Sequence, residues 1–154
     1  MIELTIPGRP LGKQRHQTAI RGKGEKAFTH EYTPIQTVNY ETYVKVLFNQ
    51  KYPDHTPWER DVPLVCYLEA YYPIPASFNG SKRNEAVLGM IQPCTKPDLD
   101  NITKVIWDAL NQIAYADDSQ IVQLFGYKYY SEKPEVLFSL QTMAEYRIRI
   151  SEDM

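Results

Sequence analysis

Leu99, Ile102, Val105, Ile106, Ala109, Leu110 and Ile113 recur at helical spacing and form one continuous apolar face. A stripe of that width has to be buried, so the rest of the 154-residue chain must supply a surface to receive it. Pro97 followed by Asp98 predicts where the helix begins, with Asp98 as its N-cap. The receiving surface is predicted to be a sheet. Ile2 to Ile6 alternates apolar and polar residues and is ended by Pro7 and Gly8, while Val62 to Ile74 is a long apolar, tyrosine-rich stretch closed by Pro73 and Pro75. Ile121 to Tyr130 and Val136 to Met143 read as two further strands, joined by a Ser-Glu-Lys-Pro connection that suits a hairpin.

A second helix of roughly four turns is expected from Thr33, with Pro34 at its first position and Val38, Tyr40, Tyr43, Val44, Leu47 and Phe48 as its stripe. These elements predict one α+β domain over residues 1–154, a small mixed sheet packed against two main helices. With 43% hydrophobic residues there is enough apolar material for a single core. Two stretches lack any period: residues 8–27, expected as a mobile basic loop, and residues 76–96, expected as a second polar loop.

Charge is unevenly placed. The net charge of −2 argues against a chain that coats itself in nucleic acid, yet Arg9, Lys13, Arg15, Arg21, Lys23 and Lys26 face only Glu25 in the N-terminal arm. Cys66 and Cys94 have no CxxC partner and no neighbouring His to complete a zinc set, so they read as plain thiols of a reducing compartment. Glu3 and Pro7 interrupt the opening where a signal peptide needs an apolar run, and no later run is long enough to span a bilayer. The expectation is a soluble, cytoplasmic protein that does not engage membranes.

The chemistry concentrates in KPDLDNITKVIWDALNQIAYADD. Asp98 and Asp100 stand at the helix start, Asp117 and Asp118 in the turn beyond it, and Asp100, Lys104 and Asp108 are four residues apart on one face, opposite the apolar stripe. Phosphodiester hydrolysis needs a hard cation to activate water, and magnesium takes its oxygen ligands from a few carboxylates and waters. Two or three clustered aspartates suffice. Lys104 is placed to hold a phosphate or leaving oxygen as a point charge. The plain alternative is caps, an i,i+4 ion pair and ordinary turn acids, and spacing alone leaves both readings open.

The order KPDLDN, Lys104, DAL at Asp108 to Leu110, then AYADD and Gln-Ile-Val resembles the signature of the RusA family of Holliday-junction resolvases. IPGRPLGKQR and the YTP at Tyr32 to Pro34 resemble that family's opening strand, basic loop and first helix start, so the likeness covers most of the chain. The resemblance implies a RusA-like fold, a homodimer, and a magnesium-dependent endodeoxyribonuclease (manganese as a substitute, no small-molecule cofactor) that nicks four-way DNA junctions in recombination and repair. It implies Asp98, Asp100 and Asp118 as metal-binding catalytic carboxylates, Lys104 as an assisting cation, and Asp117 and Asn101 as supporting neighbours. Arg9, Lys13 and Arg15 are the expected DNA-contacting arm, with Lys82 and Arg83 as extensions of that surface. Gln112 departs from the pattern, since a glycine is expected there at the helix end.

GRPLGK at Gly8 to Lys13 is one residue short of a P-loop, and Gln14 replaces its Ser or Thr, so that motif is set aside. Two rival functions are carried forward: a branched-DNA-binding module without catalysis, disfavoured by the intact acids, and a magnesium-dependent phosphohydrolase of small phosphate esters, which has no use for the long basic arm.

Overall fold

In the computed structural model, which describes residues 1–154, the alternation of Ile2, Leu4 and Ile6 forms strand β1 (Ile2–Pro7), its three apolar side chains buried. The tyrosine-rich stretch forms β4 (Leu64–Pro73), with Leu64, Cys66, Leu68, Ala70 and Tyr72 buried on one face. β5 (Ile121–Ser131) and β6 (Glu135–Thr142) complete a mixed sheet of order β1-β6-β4-β5. β4 is central to the last two: β6 pairs with it antiparallel and β5 parallel.

The expected hairpin between β5 and β6 is therefore corrected. The two strands lie on opposite sides of β4, so the Ser-Glu-Lys-Pro connection passes over the end of β4 rather than joining neighbours. Helix α1 (Ile35–Lys51) buries Thr37, Val44 and Phe48, and it packs on α3 (Leu99–Leu110), which buries Ile102, Val105, Ile106, Ala109 and Leu110. Thr37 takes the inward place expected of Val38, which is exposed.

Two further helices revise the picture of two. α2 (Gly80–Val87) lies inside residues 76–96, expected as loop, and packs near β5. α4 (Met143–Glu152) begins where the last strand was expected to end, because Thr142 and Glu145 form a reciprocal capping box. It covers one end of the outer sheet face, where Tyr146 packs on Tyr67 and Phe125 and Arg149 donates to the Tyr67 hydroxyl at 3.0 Å. The basic loop is likewise corrected: β2 (Gln17–Arg21) and β3 (Phe28–Tyr32) pair antiparallel into an exposed hairpin with its turn at the basic residues. No helix of the structure is long and apolar enough to cross a membrane.

Gln112, just past the end of α3, has φ +63° and is the single non-glycine residue in the left-handed region. Its N–H donates to the Tyr115 carbonyl at 2.8 Å, closing the turn that brings the chain back toward β5. The Cβ penalty there is about 1–2 kcal/mol, partly offset in glycine by the entropy of a freer unfolded chain. Gln112→Gly is expected to raise stability by about 0.5–1 kcal/mol, read as a higher thermal midpoint.

Candidate active site

The entrance of α3 is fixed by its neighbours. The Tyr72 hydroxyl of β4 donates to the Pro97 carbonyl at 2.5 Å, and Lys128 of β5 donates to the Thr95 carbonyl at 2.7 Å. Burial, with Asp98 adding to it, pushes the Tyr72 hydroxyl up to about 12, so it remains a donor at neutral pH. Asp98 occupies the N-cap, as expected, but its side chain accepts no capping hydrogen bond; it pairs instead with Lys96. Asp100, in the first helical turn, is exposed and takes part in none of the ion pairs around it.

Across the polar face of α3 runs a line of alternating charge. Glu41 of α1 lies 3.6 Å from the Lys13 ammonium, Lys13 contacts Asp108, Asp108 is 3.3 Å from Lys104, and Lys104 is 3.6 Å from Asp118. Burial lowers the affinity of Lys104 for its proton, but Asp108 and Asp118 outweigh it and the net shift is upward. Lys104 therefore stays cationic at neutral pH. Lys104 and Asp108 pair at i,i+4 as the helical spacing predicts, whereas Asp100, one turn before Lys104, has no ion partner.

The two turn aspartates divide their work. Asp117 caps the 3₁₀ turn Asp118–Gln120, accepting from the Ser119 N–H at 3.1 Å, and Arg60 stands 3.5 Å away. The Ser119 hydrogen bonds, helped by Arg60, hold its carboxyl below the usual carboxylate range. Asp118, its own turn held by that cap, faces α3. Gln120 fastens the turn: its side chain accepts from the Asp117 N–H at 3.0 Å and donates to the carbonyls of Glu59 at 2.6 Å and Val62 at 3.0 Å, and the residue is almost fully buried.

The arm lies over the helix rather than swinging free at this point. The Lys13 N–H donates to the Asn101 carbonyl at 2.9 Å, and the Gln14 N–H donates to the buried Thr37 hydroxyl at 3.2 Å. A Cβ on Gly12 would sit 2.7 Å from Pro97 Cβ and 3.0 Å from Asn101 Cβ, so only glycine lets the arm approach so closely. The result is a pair of open grooves. One, of about 410 Å³, lies between Arg9 to Gln14 and Lys96, Pro97, Asp98 and Asn101; the next, of about 530 Å³, is lined by Lys13 to His16, Asn101, Lys104 and Asp108. Gly12→Ala is expected to push the arm off α3 and cost about 1–3 kcal/mol, because the Pro97 ring cannot yield; chemical denaturation measures it.

Of the expected arm residues, Arg9 and Arg15 are exposed, whereas the Lys13 charge is spent on Asp108 and Glu41. Lys82 and Arg83 sit on α2 outside both grooves, Lys82 over the Phe78 ring and Arg83 paired with Glu132 at 3.0 Å. Glu41 and Gln120 were missed by sequence reasoning: Glu41 meets a partner far away in the chain, while Gln120 stood in the Gln-Ile-Val that follows the turn acids without a role.

No three His, Cys, Asp or Glu side chains stand close enough together to hold a metal ion, so Asp98, Asp100 and Asp118 are not a preformed ligand set. Carboxylate oxygens are nonetheless the donors that a hard cation takes. All three are carboxylates, magnesium takes as few as one or two with waters completing its shell, and two of the three, Asp98 and Asp118, are paired with the ammonium groups of Lys96 and Lys104. The donor set fits a magnesium ion in kind.

Comparison with known proteins agrees with the sequence reading. The model of the endodeoxyribonuclease RusA family matches residues 7–141. A relative from Bacillus subtilis (strain 168), described as the uncharacterized protein YqaN, is 36% identical over 138 residues, spanning 88% of this chain and 92% of the relative. The match runs from the end of β1 through the arm, both acidic segments and nearly all of β6, and on that extent the chain belongs to the RusA endodeoxyribonuclease family.

Proposed function

We propose that the protein is a magnesium-dependent, structure-selective endodeoxyribonuclease that resolves four-way DNA junctions by paired nicks, acting in recombination and repair. The observation that carries this is the convergence of Asp118 and Lys104 on the polar face of α3, beneath a basic arm, in a chain of the RusA family. Asp98, Asp100 and Asp118 would hold the ion, with manganese as a substitute. When bound, magnesium supplies activation of water and neutralisation of charge on the phosphate. Lys104, already cationic and one turn along from Asp100, binds a phosphate oxygen and steadies the leaving oxygen. Arg9 and Arg15 take the DNA backbone along the grooves, which accounts for DNA binding by a chain of net charge −2.

A junction presents two equivalent scissile phosphates, and a two-fold homodimer places one site on each. The test compares a synthetic four-way junction with linear duplex of the same sequence, each in magnesium or in chelator. Paired, symmetric nicks are expected in the junction with metal alone. Equal cutting of the duplex would remove the structure selectivity, and cutting in chelator would remove the metal.

A further inference from the structure

The hairpin β2–β3 stands out from the fold: nine of its ten strand residues are exposed, and its only extensive packing is of one strand against the other. An isolated two-stranded hairpin is marginally stable in water, so a ribbon that exposes its apolar side chains is expected to have a ligand. Ile20 is 75% exposed and Phe28 58%.

The register decides which face meets that ligand. Directly opposed residues share a face, which groups Arg21 with Phe28, Ala19 with His30, and Gln17 with Tyr32. The Tyr32 hydroxyl donates to Gln17 Oε1 at 2.7 Å, as that grouping requires. This face therefore carries three rings in a row, Phe28, His30 and Tyr32, beside Arg21 and without a carboxylate; Glu31 lies on the other face. Lys23 and Lys26 add charge at the turn, against Glu25. A cationic ribbon with a ladder of exposed rings is the chemistry of a stacking platform for nucleotide bases, the cations meeting phosphates and the rings meeting base faces. Base faces are hidden inside a continuous duplex and are exposed where strands part.

We propose that the β2–β3 ribbon is a branch-point probe, its Phe28 face stacking on unpaired or splayed bases while Arg21, Lys23 and Lys26 hold the backbone. The assignment rests on the reading of this chain as a branched-DNA nuclease and names the element that would detect the branch.

The test measures equilibrium binding of the full-length protein, Phe28→Ala, Phe28→Tyr and the triple Arg21→Ala, Lys23→Ala, Lys26→Ala variant to a four-way junction, a linear duplex and a single strand. Phe28→Ala is expected to bind junction and single strand about tenfold more weakly and duplex unchanged, with Phe28→Tyr restoring wild-type affinity. The triple variant should flatten the dependence of log affinity on log salt by up to about 0.9 for each phosphate that the ribbon no longer neutralises. Unchanged junction affinity in Phe28→Ala, or an equal loss on duplex, overturns the proposal. If the wild-type protein does not prefer the junction but Phe28→Ala still loses single-strand affinity, the ribbon assignment stands and the junction-nuclease reading fails. If the wild-type protein binds none of the three, both fail.

Discussion

Asp100→Asn is expected to abolish strand cleavage, a loss on the order of 10³-fold in rate, while junction binding is kept. The side chain is exposed and enters none of the ion pairs around it, so nothing in the fold depends on its charge beyond a favourable position in the first turn of α3. Losing that helix-dipole contribution costs at most about 1 kcal/mol. Asparagine keeps the shape and one oxygen but removes the negative charge that a hard cation requires. Cleavage of a labelled junction, with binding measured in parallel, separates the two effects. A variant that cuts at the wild-type rate would remove Asp100 from the site.

Gln120→Ala should lose on two counts. Its side chain satisfies three backbone groups at once, the Asp117 N–H and the carbonyls of Glu59 and Val62, in a nearly closed setting. Truncation leaves the Asp117 N–H and the Val62 carbonyl without that partner, while the Glu59 carbonyl keeps the Val62 N–H at 3.0 Å, a cost of about 1–3 kcal/mol seen as a fall in the denaturation midpoint. The turn it fastens carries Asp118, so kcat should also fall, on the order of 10²-fold for a displacement near 1 Å, under conditions where the variant is still folded. Full activity in a folded Gln120→Ala variant would show that the turn holds its place without it.

Helix α3 and its polar face were legible because a single element carries the whole signal: spacing alone puts the stripe inside and Asp100, Lys104 and Asp108 outside. The strands were legible as segments, but their partners were not. A Ser-Glu-Lys-Pro link has the length of a hairpin, and only the placement of β4 between β5 and β6 shows that it is not one. α4 was readable in principle from the Thr142-x-x-Glu145 capping box; the strand pattern running up to Met143 masked it. The β2–β3 hairpin had no such cue, since a ribbon exposed on both faces has no inside to impose alternation.

At the site, the identity of the acids was readable and their engagement was not. Lys13 looked like a free phosphate-binding cation in a basic run, yet its charge is met by Glu41 and Asp108, residues brought near by the packing of α1 on α3. Asp117 and Asp118 are adjacent and chemically identical, and the turn alone assigns one to capping and the other to the face of α3.

Manganese binding, followed by electron paramagnetic resonance or titration calorimetry without DNA, tests the three carboxylates directly and independently of cutting. The wild-type protein should bind the ion, and Asp98→Asn, Asp100→Asn and Asp118→Asn should each weaken that binding at least tenfold, a loss of about 1.4 kcal/mol. Undiminished manganese affinity in all three variants would contradict the proposed site.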